Sequence, residues 1–105
     1  MNDALREKVL IRAPRGLPPK MVADYVDRYR SSLLALRDAL ERADYEQVRV
    51  FGHRLSGTAG AYGLPDATDM GAAMEQAAAR KQKAELNAQT DALEAYLSRV
   101  EVVPD

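Results

Sequence analysis

From Pro19 onward the apolar residues Val22, Val26, Tyr29, Leu33, Leu36 and Leu40 recur at alternating gaps of four and three. That is the stripe of a helix that packs against other helices. The spacing predicts a first helix that stops near Ala43, because Asp44 followed three places later by Gln47 reads as a capping box opening a second helix. On a helical wheel, Val48, Phe51, Leu55, Ala59 and Tyr62 fall within roughly 60° of one another and form the buried stripe of that second helix. It runs to about Tyr62 and ends on Gly63, which suits a left-handed C-terminal cap.

Pro65, with Asp66 and Asp69 in the next turn, opens a third helix whose inner face is Met70, Met74 and Ala77. A fourth carries Leu86, Leu93, Leu97 and Val100. The break between them falls near Arg80 to Lys83, where neither Gly nor Pro marks it. Residues 1–19 read as a short amphipathic turn of helix, with Leu5 and Val9 on its apolar side, followed by a stiff linker from Ala13 to Pro19. Short connections between consecutive helices favour antiparallel neighbours. The expectation is an all-α single domain over residues 1–105: an up-down-up-down antiparallel four-helix bundle at residues 20–103, preceded by a short N-terminal helical segment and linker at residues 1–19. The competing architecture is an open helical array that dimerises.

Composition narrows the function. Fifteen basic residues against sixteen acidic leave a net charge of -1 and no basic tract, so nucleic acid is not an expected partner. The absence of cysteine removes disulfides and thiolate nucleophiles, and a single histidine makes a transition-metal site an unpromising expectation. No apolar run is long enough for a signal peptide or membrane span, which gives a cytoplasmic location by default and no membrane partner.

The second helix departs from a generic bundle. Five of the six glycines, Gly52, Gly57, Gly60, Gly63 and Gly71, fall within 20 residues, and each one inside a helix costs roughly 1 kcal/mol relative to alanine. His53 lies roughly 160° from the centre of the buried stripe on the wheel, so it is expected to face solvent. Around it on that face are Arg49, Ser56, Gly57 and Gly60, a floor with few side chains. An exposed imidazole, ordinarily titrating near pH 6.5, is largely neutral at pH 7, the form that attacks phosphorus.

The run Gly52-His53-Arg54-Leu55-Ser56-Gly57-Thr58-Ala59-Gly60-Ala61-Tyr62-Gly63 resembles the signature of histidine-containing phosphotransfer (HPt) domains, written roughly as His-x-Leu-Lys-Gly-Ser-Ala-x-x-x-Gly. The resemblance extends over residues 17–103 and includes an acidic residue, Glu75, about twenty positions past the histidine. It implies that His53 is the phosphoacceptor, that Gly57 leaves room at the imidazole, and that Gly63 turns the chain. Where the family usually has lysine, this chain has Ser56. Arg49, roughly 40° from His53 on the wheel, is the better stand-in for that charge and Arg54 the second; the hydroxyls of Ser56 and Thr58 could donate hydrogen bonds.

What the resemblance implies about function is a phosphorelay intermediate of two-component signalling, without turnover of its own. His53 would exchange a phosphoryl group with the aspartate of a response-regulator receiver domain. Partners would be that receiver, a histidine kinase, or both. No cofactor or metal is expected on this chain, since Mg²⁺ belongs to the partner receiver, and a monomer is expected. Val50, roughly 60° from His53 on the wheel, with Arg54 and Gly57, would form the docking surface. The alternative is an HPt-like binding module without transfer activity that docks on a receiver or kinase. A structural domain dimerising through Leu34 is a further reading, and a hydrolase is the poorest one.

Overall fold

Val22, Val26, Leu33, Leu36 and Leu40 line the buried side of α1 (Pro19–Glu41), with Tyr29 half-buried beside them, so the four-and-three spacing does mark the inner face. The computed structural model describes residues 7–104. Within them follow α2 (Tyr45–Thr58), a 3₁₀ turn (Ala59–Tyr62), α3 (Pro65–Ala79) and α4 (Lys83–Arg99), framed by two short strands, β1 (Val9–Arg12) and β2 (Val100–Val103). No helix among the described residues is long and apolar enough to cross a membrane.

The helix ends follow their capping chemistry. The Asp44 carboxylate accepts the Gln47 N–H at 3.2 Å, satisfying one of the orphan donors of α2. The return half of the box is replaced: Gln47 accepts from Arg42 at 3.2 Å, and the Asp44 N–H donates to Ala39 at 2.8 Å. At the other end Gly63, at φ 82°, lets the Leu64 N–H reach back to the Ala59 carbonyl at 2.9 Å. The α3–α4 break is made by Lys81 at φ 56°, a left-handed turn on a residue that gives no such signal in sequence.

Two glycines explain how close α2 and α3 come. A Cβ on Gly52 would lie 2.7 Å from the Gly71 carbonyl oxygen and 2.8 Å from the Glu75 nitrogen. One on Gly71 would lie 2.6 Å from the Ser56 nitrogen. Backbone therefore packs on backbone, and the helix-propensity cost of both glycines is offset by a contact no other residue permits.

The N-terminal helical turn expected around Leu5 and Val9 is corrected in part. Leu5 lies outside the described residues, but Val9–Arg12 is a strand, paired in parallel with Val100–Val103 from Val9↔Val100 to Arg12↔Val103. Four residues before a proline are too few to sustain a helix, whereas the chain leaving α4 offers them ladder partners. Parallel strands need a crossover, and here the whole helical bundle supplies it. Ile11 and Ala13 are buried against the core. Arg30 of α1 secures the junction by donating to the Leu97 carbonyl at 2.7 Å and the Val100 carbonyl at 3.0 Å, while further along the same helix Arg37 meets Asp91 at 2.9 Å and Glu94 at 2.6 Å.

Tyr25 ties α1 to the end of α2. The Thr58 hydroxyl donates to the Arg54 carbonyl at 2.8 Å, so the Tyr25 hydroxyl donates to Thr58 Oγ1 at 2.6 Å, and its ring stacks on Tyr62 at 4.1 Å. Burial pushes the Tyr25 phenol up to about 12, because the phenolate would lose its hydration. A raised folded pKa on an acid means that stability is complete below the unfolded value of about 10 and is lost as pH rises from there through 12. Denaturant melts from pH 9 to 12 should show the parent losing up to about 2 to 3 kcal/mol more than Tyr25→Phe over that window.

Candidate functional site

His53 sits on the exposed side of α2, with its side chain 69% accessible, as the wheel predicts. Its Nδ1 lies 3.0 Å from Glu75 Oε2 on α3. Glu75 is there because of the glycine contact: the Glu75 backbone nitrogen packs directly over Gly52, the residue before the histidine. An ionised carboxylate only accepts hydrogen bonds, so Nδ1 is the donor to Glu75 and, in the neutral ring, the lone pair is on Nε2.

Arg49 stands one turn before His53 on the same side. Its Nε and Nη2 hold Glu46 at 2.9 and 2.6 Å, and its Nη1 lies 3.8 Å from the same Glu75 oxygen. Glu46 is held below the usual carboxylate range by its hydrogen bond to Arg49. Glu46, Arg49 and Glu75 thus form one chain of charges across α2 and α3, and His53 meets it at the Glu75 oxygen that Arg49 also approaches.

The floor beside the imidazole differs among the glycines. Nothing lies within 4 Å of a Cβ placed on Gly57, whereas at Gly60 the Thr68 hydroxyl lies 3.6 Å away. Ser56, expected on the outer face, is half-buried against α3 at Gly71, because the helices approach so closely there. Thr58 is engaged with Tyr25. Val50, expected to be exposed, is half-buried, and with Arg54 it lines a groove between α1 and α2. The structure therefore brings His53, Arg49 and Gly57 together and sets Val50 and Arg54 on the α1 side of the helix, away from Glu75. Phe51 and Tyr62, which the wheel places on the buried stripe, are half-buried and line the same groove. Among the described residues no cluster of His, Asp or Glu is arranged to hold a metal ion.

The family model of the Hpt domain matches residues 20–102. The chain belongs to the Hpt domain family. Membership carries histidine phosphotransfer in two-component signalling as its general function, and receiver domains and kinases as the partners of such domains. The matched span covers α2, α3 and α4 whole and α1 from its second residue, while β1 precedes it. No curated protein and no solved structure matches the chain.

The pairing that orients the imidazole was accessible in sequence only as an acidic residue at a certain distance past the histidine. Its meaning comes from the Gly52–Gly71 crossing, which brings residues 22 positions apart within hydrogen-bond reach.

Proposed function

We propose that His53 of this Hpt domain is the phosphoacceptor and exchanges its phosphoryl group with the aspartate of a receiver domain. The observation that carries the reading is the Nδ1–Glu75 hydrogen bond, which leaves Nε2 as the free nucleophile beside the open space at Gly57. Nε2 attacks phosphorus, an N–P bond forms, and the P–O bond to the partner's aspartate breaks with that carboxylate as leaving group. The ring retains its Nδ1 proton, so the phosphorylated imidazole is cationic and Glu75 offsets its charge. Mg²⁺ on the partner would supply charge screening for the transferring oxygens, and Arg49 of this chain would supply the cation that Ser56 does not. The reverse sequence returns the group. An up-down-up-down bundle supports this reading: Arg30 reaches Leu97 whereas Arg37 reaches Asp91, so residue order along α4 opposes that along α1. Such a relay would act as a monomer in the cytoplasm.

The test is incubation with a phosphorylated receiver, looking for acid-labile, alkali-stable phosphate on this chain. Its position on Nε2 is read from nitrogen chemical shifts. Glu75→Gln should slow transfer on the order of tenfold to a hundredfold, because an amide can also donate to Nδ1 and hold the tautomer whose proton blocks Nε2. An unchanged rate, or unchanged ring-nitrogen shifts in the free protein, would remove Glu75 from the mechanism.

Arg49→Ala is expected to slow transfer or shorten the lifetime of the phosphohistidine, and Ser56→Lys in that background to restore part of it. Should Arg49→Ala transfer normally, the compensation is wrong. The half-buried Ser56 at the usual lysine position favours a second reading, a binding module that docks without transfer. Receiver binding with no labelling of His53 would establish it.

A further inference from the structure

The groove between α1 and α2 belongs to neither the imidazole nor its charge chain. It encloses about 460 Å³, within the roughly 300–1,000 Å³ of small-molecule sites. Four of the six aromatic residues of the chain line it: Tyr25, Tyr29, Phe51 and Tyr62. Their rings form a continuous series, Tyr62 stacked on Tyr25 at 4.1 Å, Tyr25 tilted to Tyr29 at 5.0 Å, and Tyr29 edge-on to Phe51 at 5.5 Å. Tyr29, Phe51 and Tyr62 are only half-buried, so apolar ring surface is left facing the groove.

Charge sets the second half of the argument. Of the arginines within α1 and α2, Arg30, Arg37 and Arg49 each hold a carboxylate. Arg28 and Arg54 form no ion pair among the described residues, and these are the two that line the groove, one from each helix. No acidic side chain lines it. Two guanidinium groups without a carboxylate, flanking an aromatic floor, are complementary to an acidic group on a flat apolar body.

We propose that this groove binds a small organic anion, an aromatic or flat apolar carboxylate whose body lies on Tyr29 and Phe51 and whose acid group meets Arg28 and Arg54. His53, Glu75 and Arg49 take no part in the groove, but Val50 and Arg54, which the sequence assigns to receiver docking, line it, so a bound anion would occupy part of that docking surface while leaving the acceptor site free.

The probe is biphenyl-4-carboxylate, titrated into the full chain and followed by NMR, with 4-biphenylmethanol as a neutral molecule of the same shape. The expected result is saturable shifts centred on Tyr29, Phe51, Arg28 and Arg54, with the acid at least about tenfold tighter than the alcohol, the factor that about 1.4 kcal/mol confers. Arg28→Gln combined with Arg54→Gln should erase that preference. Val50→Trp, which fills the groove from its wall, should weaken the acid about tenfold or more, with an unchanged melting temperature showing that the fold is intact. Equal affinity for acid and alcohol, shifts centred on another surface, or no saturation at millimolar probe would each overturn the proposal.

Discussion

Substituting His53 by glutamine is expected to abolish phosphoryl labelling from a receiver while shifting the melting temperature by no more than about 4 °C. Labelling should vanish because this is the only histidine in the chain and no cysteine is present to form an alternative S-phosphocysteine. Stability should hold because an exposed substitution seldom costs more than about 0.5 kcal/mol, and 1 kcal/mol corresponds to roughly 4–8 °C in a domain of this size. Glutamine can also keep a hydrogen bond to Glu75 from its amide. Phosphate that persists on His53→Gln would move the acceptor elsewhere and end the proposed mechanism. A fall of 10 °C or more, at roughly the rate just given, would mean instead that the His53–Glu75 pair holds α2 to α3.

Much of the bundle was legible in residue spacing, and the reasons are physical. The α1 stripe is long enough for a 3.6-residue period to be unambiguous, and Val22 to Leu40 are buried where that period puts them, apart from half-buried Tyr29. Asp44 opens the second helix because capping selects residue types, but that helix stops at Thr58 rather than near Tyr62, and Gly63 ends the 3₁₀ turn that follows it. Strand β1 was missed for the converse reason. Four residues carry no period, and what makes them a strand is a partner beginning at Val100, on the far side of the whole bundle. The turns at Ala43 and Lys81 take left-handed conformations at φ 55° and 56° on residues that do not announce them.

At the site, the wheel was reliable for direction and unreliable for distance. It put His53 outward and Leu55 inward, as found. It could not register how closely α3 approaches, so Ser56 was read as exposed when the Gly71 crossing half-covers it. Nor could it show that α1 leaves part of Phe51 and Tyr62 open, which requires knowing how two helices diverge. The sequence places Gly57 and Gly60 in the floor beside the imidazole and gives no separate role to Gly52 and Gly71, and the structure divides the glycines into two kinds. Gly52 and Gly71 exist for backbone contact, and Gly57 borders empty space.

That division makes the sharpest prediction, because two glycines in one helix should respond in opposite ways. In Gly52→Ala the new methyl group meets the Gly71 carbonyl and the Glu75 nitrogen inside 3 Å, neither of which is a flexible side chain. Overpacking of this kind costs about 1–3 kcal/mol, so the melting temperature should fall by roughly 10 °C. Transfer should fall with it, since the displaced atom belongs to the residue that orients His53. In Gly57→Leu nothing stands in the way of the side chain near its root, and the helix gains up to about 1 kcal/mol of propensity. The protein should melt no lower than the parent. One turn beyond the imidazole, however, the leucine side chain occupies the space through which a partner must bring its phosphoryl group, and receiver transfer should drop on the order of tenfold or more, the effect of about 1.4 kcal/mol lost in docking. Melting curves and transfer rates measured side by side on the two variants decide the matter. If Gly57→Leu unfolds the domain, the open space is not open, and if it transfers normally, the glycine has no part in docking. If Gly52→Ala melts like the parent, the close crossing of α2 and α3 is not what positions Glu75.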